Sequence, residues 1–268
     1  MNLRKIMKMY QDKGLSSDFA SARVCQDIVL KAIADGPFNR NITIKGGIVM
    51  RNISDDNRRS TRDIDLDFIH YSLSDESIRI FVNKLNCIPG IKISIVGEVK
   101  ELKHQDYHGK RVLVKIADEE KTEIISKIDI GVHKHFEIEQ DEYCFDVFMD
   151  EDGASLLKNT AEQIFAEKLR SLLIFGTNSH RYKDIYDLYY LKNIVDKDKL
   201  DIAMHLFIFD DIYIRECSYI DIIKRICDVF NDGEFLIRIS KSRQRWVDGD
   251  IEEIVTEITD FLRKLEVR

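Results

Sequence analysis

Three aspartates alternate with three apolar residues in one short segment, and the alternation points to metal chemistry. The segment reads Asp63, Ile64, Asp65, Leu66, Asp67 and Phe68. Because successive side chains of a strand point to opposite faces, the carboxylates share one face and the apolar residues the other. Like charges on one face repel each other unless a cation lies among them, and Mg²⁺ prefers carboxylate oxygen. The segment therefore predicts a strand that holds a divalent metal ion.

A glycine pair and a basic run precede these aspartates. Gly46 and Gly47 could bring backbone N–H groups close to a phosphate, and Arg58, Arg59 and Arg62 follow before the strand. An isolated Asp-x-Asp pair also occurs on solvent-facing strand edges, where charge discourages edge pairing. The combination of glycines, basic run and three aspartates favours a nucleotide site over that alternative.

The glycine and aspartate motifs resemble those of a known enzyme family. Lys45-Gly46-Gly47 followed by Arg59-x-Thr61-x-Asp63-Ile64-Asp65-Leu66 is similar to the pattern of the AbiEii/AbiGii-type nucleotidyltransferases. That group includes toxins of toxin–antitoxin and phage-abortive-infection systems, and it belongs to the DNA-polymerase-β-like nucleotidyltransferase superfamily. The resemblance implies an enzyme that transfers NMP from an NTP to an acceptor hydroxyl and releases pyrophosphate.

A third carboxylate, Asp129, lies on the polar face of the strand predicted at 122–132. The pattern alone is equally consistent with an aspartate on an exposed strand, but in the family a later strand supplies the third carboxylate. The resemblance therefore implies that Asp63, Asp65 and Asp129 hold Mg²⁺ or Mn²⁺, as a two-metal transfer requires. Asp67 leaves open whether Asp63/Asp65 or Asp65/Asp67 is the metal pair, and the preceding Arg59-x-Thr61 favours the first.

Two further motifs lie in the second half of the chain. Lys168, in Glu167-Lys168-Leu169, reads by itself as an ordinary helix-surface lysine, but the resemblance implies that it contacts the triphosphate. The segment 181–188 matches the family pattern Arg-x-Lys-Asp-x-x-Asp-Leu. It implies that Arg181 and Lys183 face phosphates or RNA while Asp184 and Asp187 orient them. Alternatively, Asp184 caps its helix and Asp187 pairs with Lys183.

The expected site residues fall into two overlapping sets. The catalytic set is Asp63, Asp65, Asp129 and Lys168, and the NTP-binding set is Lys45, Gly46, Gly47, Arg59, Thr61, Lys168, Arg181, Lys183, Asp184 and Asp187. A weaker signal is Trp246 beside Lys241, Arg243 and Arg245, which could bind RNA by stacking and charge, although a solvated basic face is the simpler interpretation.

The pattern of predicted elements indicates an α+β fold. Helices alternate with strands up to the aspartate segment, and strands follow at 91–99, 110–116 and 122–132 with a short further piece at 143–149. From about residue 155 the apolar period becomes helical. We therefore expect a mixed-sheet nucleotidyltransferase lobe at 1–152 and a helical lobe at 153–268 that completes the active-site cleft.

The amino-acid composition limits the classes of protein to which this chain can belong. The 268-residue chain carries a net charge of −7, which argues against a surface coated in basic residues. Its five cysteines include no Cys-x-x-Cys pair, which favours reduced thiols in the cytoplasm. No apolar run reaches the length of a membrane span, and the N-terminus lacks the features of a secretory signal. We expect a cytoplasmic protein with no membrane partner.

The expected partners follow from the resemblance. They are an NTP, an RNA acceptor such as a tRNA 3′ end, and a cognate antitoxin protein. Two alternatives remain open at this point: nucleotidyl transfer to a protein or small molecule, and a catalytically inactive binding protein that retains the fold. The intact set of aspartates argues against the second, because clustered carboxylates are costly without a cation.

Overall fold

The computed structural model describes residues 1–102 and 109–267. The chain forms two compact units, Met1–Asn159 and Thr160–Arg268. The division falls seven residues after the predicted boundary at 152, because a strand that the sequence analysis did not predict occupies this stretch.

The first unit contains all the strands of the described residues. Its helices are α1 (Leu3–Asp12), α2 (Ser17–Asp35), α3 (Gly46–Ser54) and α4 (Asp75–Lys84). Its strands are β1 (Ile42–Lys45), β2 (Ile64–Phe68), β3 (Ile91–Leu102), β4 (Gly109–Asp118), β5 (Glu123–Val132), β6 (Asp141–Val147) and β7 (Asp150–Lys158).

Within the described residues these seven strands form one mixed sheet in the order β3-β4-β5-β2-β1-β7-β6. The pairs β2/β5 and β1/β7 are parallel, and the other neighbouring pairs are antiparallel. The sheet and its helices confirm the predicted α+β class. Strand β2 lies at the centre of the order, between β5 and β1, so the predicted aspartate strand is flanked on both sides.

The apolar alternation of the strands builds the core of the first unit. Ile64, Leu66 and Phe68 are fully buried, as are Val112 and Val114 of β4. Helix α2 packs against β5, β6 and β7, and α4 packs against β3. The apolar side chains therefore lie under helices, as the alternation predicts.

Strand β7 is the main element that the sequence did not predict. Its first residues, Asp150-Glu151-Asp152-Gly153, have the composition of a linker, yet Asp150 is paired with Val147 of β6 and the antiparallel pairing resumes at Ala154, opposite Phe145. Gly153 adopts a positive φ of 74°, beside the register shift between Phe145 and Val147, which is how an irregular strand accommodates such a residue. Beyond it, Ala154 and Leu156 are buried in the normal alternation.

The second unit consists of helices and their connecting segments, with no strand among its described residues. Its helices are α5 (Ala161–Phe175), α6 (Tyr182–Leu191), α7 (Lys197–Met204), α8 (Tyr219–Phe230), α9 (Gly233–Ser240) and α10 (Ile251–Glu266). The Thr160 side chain accepts a hydrogen bond from the Gln163 N–H and caps α5. Helix α7 is followed directly by a π-helix over His205–Phe209.

No helix in the part of the chain that the structure describes combines the length and the apolar character that a membrane crossing requires.

We predict that Leu66→Ala destabilises the first unit by about 2–5 kcal/mol, because it removes a fully buried side chain at the centre of the sheet. Urea unfolding followed by circular dichroism measures the change. Ile125→Ala on β5 is the control, since Ile125 is 60% exposed and surface changes usually fall within about 0.5 kcal/mol. Equal effects of the two substitutions would contradict the assignment of Leu66 to the core.

Candidate active site

The two glycines are required by close packing against the aspartate segment. Gly46 begins α3 with a positive φ of 66°, and a Cβ atom there would lie 2.5 Å from Asp65 Oδ2. A Cβ atom on Gly47 would lie 2.6 Å from the Thr61 Cβ. Any side chain at either position would therefore displace the segment that carries the aspartates, while the N-terminal N–H groups of α3 start beside Asp65.

Strand pairing brings charged residues of four strands into one row. Asp65 of β2 is paired with Asp129 of the parallel β5 and with Lys45 of the antiparallel β1. Asp129 is paired in turn with Arg111 of β4. Directly paired residues point to the same face of a sheet, so Arg111, Asp129, Asp65 and Lys45 form what we call the charged row. The structure thus brings together the two aspartates that the sequence placed on different strands.

Basic side chains bind the aspartates of this region. Arg111 binds Asp129 with two parallel hydrogen bonds of 2.7 Å. Lys127 Nζ lies 2.8 Å from Asp63 Oδ1. These aspartates, together with Asp65, are partly exposed to solvent.

Asp67 has a different environment. It is buried, and its carboxylate lies 2.6 Å from Lys45 Nζ, which is itself almost fully buried. The accessible carboxylates are therefore Asp63, Asp65 and Asp129, and this difference in burial favours Asp63/Asp65 over Asp65/Asp67 as a metal pair.

The negative charges of this region converge on one guanidinium. The pKa of Arg111 is raised above its ordinary value, first by its hydrogen bonds to Asp129 and then by the charges of Asp129, Asp63 and Asp65, against the opposing effect of burial. Arg111 thus occupies a position at which a cation is stabilised by all three expected metal ligands.

The donor chemistry of these aspartates fits a hard divalent cation, since all three offer carboxylate oxygen from adjacent positions on one face. Among residues 1–102 and 109–267, no three His, Cys, Asp or Glu side chains are gathered closely enough to hold a metal ion directly. Instead, Asp129 is bound by Arg111 and Asp63 by Lys127.

A buried glutamine fixes the backbone that leads into β2. Gln26 of α2 is fully buried, and its Nε2 donates to the Thr61 carbonyl at 3.0 Å and to the Asp63 carbonyl at 3.5 Å. Its Oε1 accepts a hydrogen bond from Arg51 of α3. Gln26 therefore connects the glycine-led helix to the approach of the aspartate strand. Arg59, on the same approach, is also buried, which is unlike the accessible NTP contact that its motif suggests.

The second unit collects its motif residues into one buried ion-pair cluster. Lys168 Nζ lies 2.7 Å from Asp184 Oδ1 and 2.6 Å from Asp187 Oδ2. Lys168 is 9% exposed, and Asp187 is fully buried. The Arg181 guanidinium adds a contact of 3.1 Å to Asp184. Lys168 is therefore a buried partner of two aspartates rather than an ordinary surface lysine.

Trp246 completes this cluster and corrects an expectation. Its indole N–H donates to Asp187 Oδ1 at 3.0 Å, and the residue is only 3% exposed. The ring is therefore buried and does not offer a stacking surface for RNA. Asp184 is not the N-cap of α6, because Arg181 takes that position, and Asp184 and Asp187 both bind Lys168. The backbone N–H of Lys183 donates to Gln244 at 3.4 Å.

Four residues contact the predicted ones although their sequence positions did not predict these contacts: Gln26, Arg111, Lys127 and Trp246. Lys127 had a visible signal, because it shares the polar face of β5 with Asp129. Arg111 carried the same alternation signal on β4, but its partner depends on strand order and register. Gln26 lies within an apolar helix and Trp246 within a basic segment, so nothing in the local sequence indicated what either would contact.

A glycine-led helix packed against an aspartate strand, with a further aspartate on the neighbouring parallel strand of a mixed sheet, defines the class of nucleotidyltransferases. Residues 28–245 match the family model described as nucleotidyl transferase AbiEii toxin, type IV TA system. The match spans most of the chain and includes both motif regions, so the chain belongs to this family and is a nucleotidyltransferase toxin. An antitoxin partner is implied by the same membership. No curated protein matches the chain.

We predict that Lys168→Met destabilises the second unit by about 3–5 kcal/mol, because it leaves two buried carboxylates without their shared cation. Trp246, the only tryptophan in the sequence, contacts Asp187 and reports unfolding of this unit by fluorescence in urea. Lys224→Met is the control, since Lys224 is an exposed lysine of α8. An unchanged midpoint for Lys168→Met would show that other groups satisfy these aspartates.

Proposed function

We propose that this enzyme transfers NMP from an NTP to a hydroxyl of an RNA acceptor, with a tRNA 3′ end as the expected acceptor, and that the reaction depends on Mg²⁺ or Mn²⁺. The observation that carries the proposal is the pairing of Asp65 with Asp129 on adjacent parallel strands. With Asp63 two residues before Asp65, this pairing supplies three accessible carboxylates on one face of the sheet.

Asp63, Asp65 and Asp129 would hold the metal. When bound, Mg²⁺ or Mn²⁺ would neutralise triphosphate oxygens and lower the pKa of the attacking hydroxyl. Asp65 and Asp129 hold their orientation through the strands that carry them, and Asp63 directly precedes β2, so the site would need side-chain rearrangement but no change in strand register. Asp67 would have a structural role, because Lys45 already neutralises it in a buried position.

Other residues of the chain would bind the triphosphate. The N–H groups at the start of α3, which follow Gly46 and Gly47, are oriented as an anion site by the helix itself. Lys168 and Arg181 would supply cationic contacts, and Asp184 and Asp187 would orient them through the ion pairs of the buried cluster. The roles of Arg59, Thr61 and Lys183 would be to support the same binding.

The class of acceptor has an alternative to RNA. The same chemistry could transfer NMP to a protein side chain or a small molecule, because the aspartates act on the NTP and on any bound hydroxyl. Family membership as a toxin favours RNA, since modification of tRNA would stop growth. On this view the enzyme acts in phage defence and its cognate antitoxin silences it.

The test incubates the purified full chain with total tRNA and each labelled NTP, with and without Mg²⁺. We expect label in RNA with one preferred NTP and with metal only. Asp65→Asn should reduce transfer at least about a hundredfold, because loss of a metal ligand removes several kcal/mol of stabilisation. Glu123→Gln is the matched control, an exposed carboxylate on β5. Label on protein or another acceptor would favour the alternative, and no transfer to any acceptor would refute the proposal.

A second prediction concerns the competition between Arg111 and the metal. We expect Arg111→Met to tighten Mn²⁺ binding about tenfold, because the guanidinium occupies Asp129 through two charge-assisted hydrogen bonds. Mn²⁺ titration followed by electron paramagnetic resonance measures the affinity without NTP. Lys115→Met removes the same charge from the same strand, where Lys115 binds Glu123, and should leave the affinity nearly unchanged. Weaker binding by Arg111→Met would contradict the competition.

A further inference from the structure

The first unit contains a cavity of about 550 Å³ whose lining has one residue, Thr61, in common with the nucleotidyl-transfer proposal. Its lining includes Lys13, Arg23, Arg51, Asn52, Ser60 and Tyr143, and neither the charged row nor Asp63 contributes to it. The volume falls in the range of small-molecule sites.

Arg51 is the residue in this lining whose polar groups are least satisfied. It is 6% exposed, and its Nη1 donates to Gln26 Oε1. Its Nε and Nη2 atoms are buried without a hydrogen-bond partner among the described residues. A guanidinium carries five N–H donors, and buried donors that lack acceptors destabilise a protein. Arg51 therefore needs an acceptor that the described residues do not supply.

The buried charges around Arg51 do not balance. Asp27 is fully buried; its Oδ1 lies 2.9 Å from Arg23 Nε, and its Oδ2 accepts a hydrogen bond of 2.5 Å from the Tyr10 hydroxyl. Its oxygens are therefore engaged by other groups than Arg51. Burial and the neighbouring charge of Arg23 lower the pKa of Arg51 to about 9. Among these described buried groups, two guanidinium cations thus face one carboxylate.

The acidic residues that line the cavity do not neutralise this excess of buried positive charge. The Asp146 side chain is 92% exposed, and Asp55 is also exposed. Asp56 is engaged by Arg58, whose Nη2 lies 2.8 Å from its Oδ2. Charges in contact with water are strongly screened, whereas buried charges are not. The buried floor of the cavity is therefore basic although its exposed rim is acidic.

We propose that this cavity binds the phosphate group of a small phosphorylated ligand, with Arg51 as the principal contact. A phosphate oxygen matches the geometry of a guanidinium edge and accepts from two N–H donors at once. One phosphate fills only part of the cavity, and the rings of Tyr10, Phe19 and Tyr143 in its lining offer apolar surface to the remainder of a ligand. The same phosphate chemistry could come from inorganic phosphate or from a nucleotide.

The first test measures thermal unfolding of the full chain with inorganic phosphate or AMP, each matched for ionic strength with chloride. We expect either probe to raise the Tm of the wild type by roughly 3–6 °C at saturation, and Arg51→Met to abolish the rise. Arg238→Met removes an arginine of the second unit that donates to the Thr177 carbonyl, and it should keep the full rise. A rise that persists in Arg51→Met would overturn the proposal.

A second test uses the wild-type protein and can therefore be carried out even if Arg51→Met does not fold. Cys144 lines the cavity and is exposed, whereas Cys217 is exposed outside it. Alkylation of each thiol is followed by mass spectrometry with each probe, and Cys217 is the internal reference. Slowing of Cys144 alone, by about fivefold or more, supports the site. Protection by AMP but not by phosphate identifies a nucleotide, and no protection by either overturns the proposal. Neither test depends on nucleotidyl transfer.

Discussion

The parallel pairing of β2 with β5 is the constraint on which the rest of the site depends. It places Asp65 beside Asp129, although 63 residues separate them in the sequence. The register is fixed from the opposite face, where Ile64 is paired with Ile128 and Leu66 with Ile130, and all four residues are buried. A slip of one residue would turn every aspartate of β2 into the core and every apolar residue out. The burial of apolar side chains thus determines where the carboxylates lie.

Local chemistry could be predicted from the sequence, and contacts between distant segments could not. The alternation in 63–68 predicted a strand with aspartates on one face, because side-chain period is a local property. The position of β5 beside β2 was only an expectation, since strand order depends on how all the strands pack. Strand β7 was missed because its first residues have the composition of a linker, and Trp246 because its burial depends on a partner, Asp187, that lies 59 residues earlier.

In both units, the aspartates of the motifs form ion pairs with basic side chains. In the first unit, Arg111 and Lys127 neutralise aspartates that remain partly exposed. In the second, Lys168 neutralises two aspartates that are almost completely buried. The difference matters because a buried charge that loses its partner costs far more than a solvated one. The aspartates of the first unit can therefore exchange partners, whereas those of the second are fixed in place.

The position of β1 has a consequence for synthesis of this toxin on the ribosome. Strand β1, which leads into the glycines, lies between β2 and β7, and β7 ends at Lys158. A nascent chain that has emerged only as far as β5 already carries Asp63, Asp65 and Asp129, yet its β1 lacks the partner strand β7 and is left as an edge strand beside β2. Such an edge is prone to pairing with other chains. All seven strands are present only when more than half of the protein has been synthesised. Translation products that end before β7 would therefore carry all three aspartates but lack one of the two strands that flank β1.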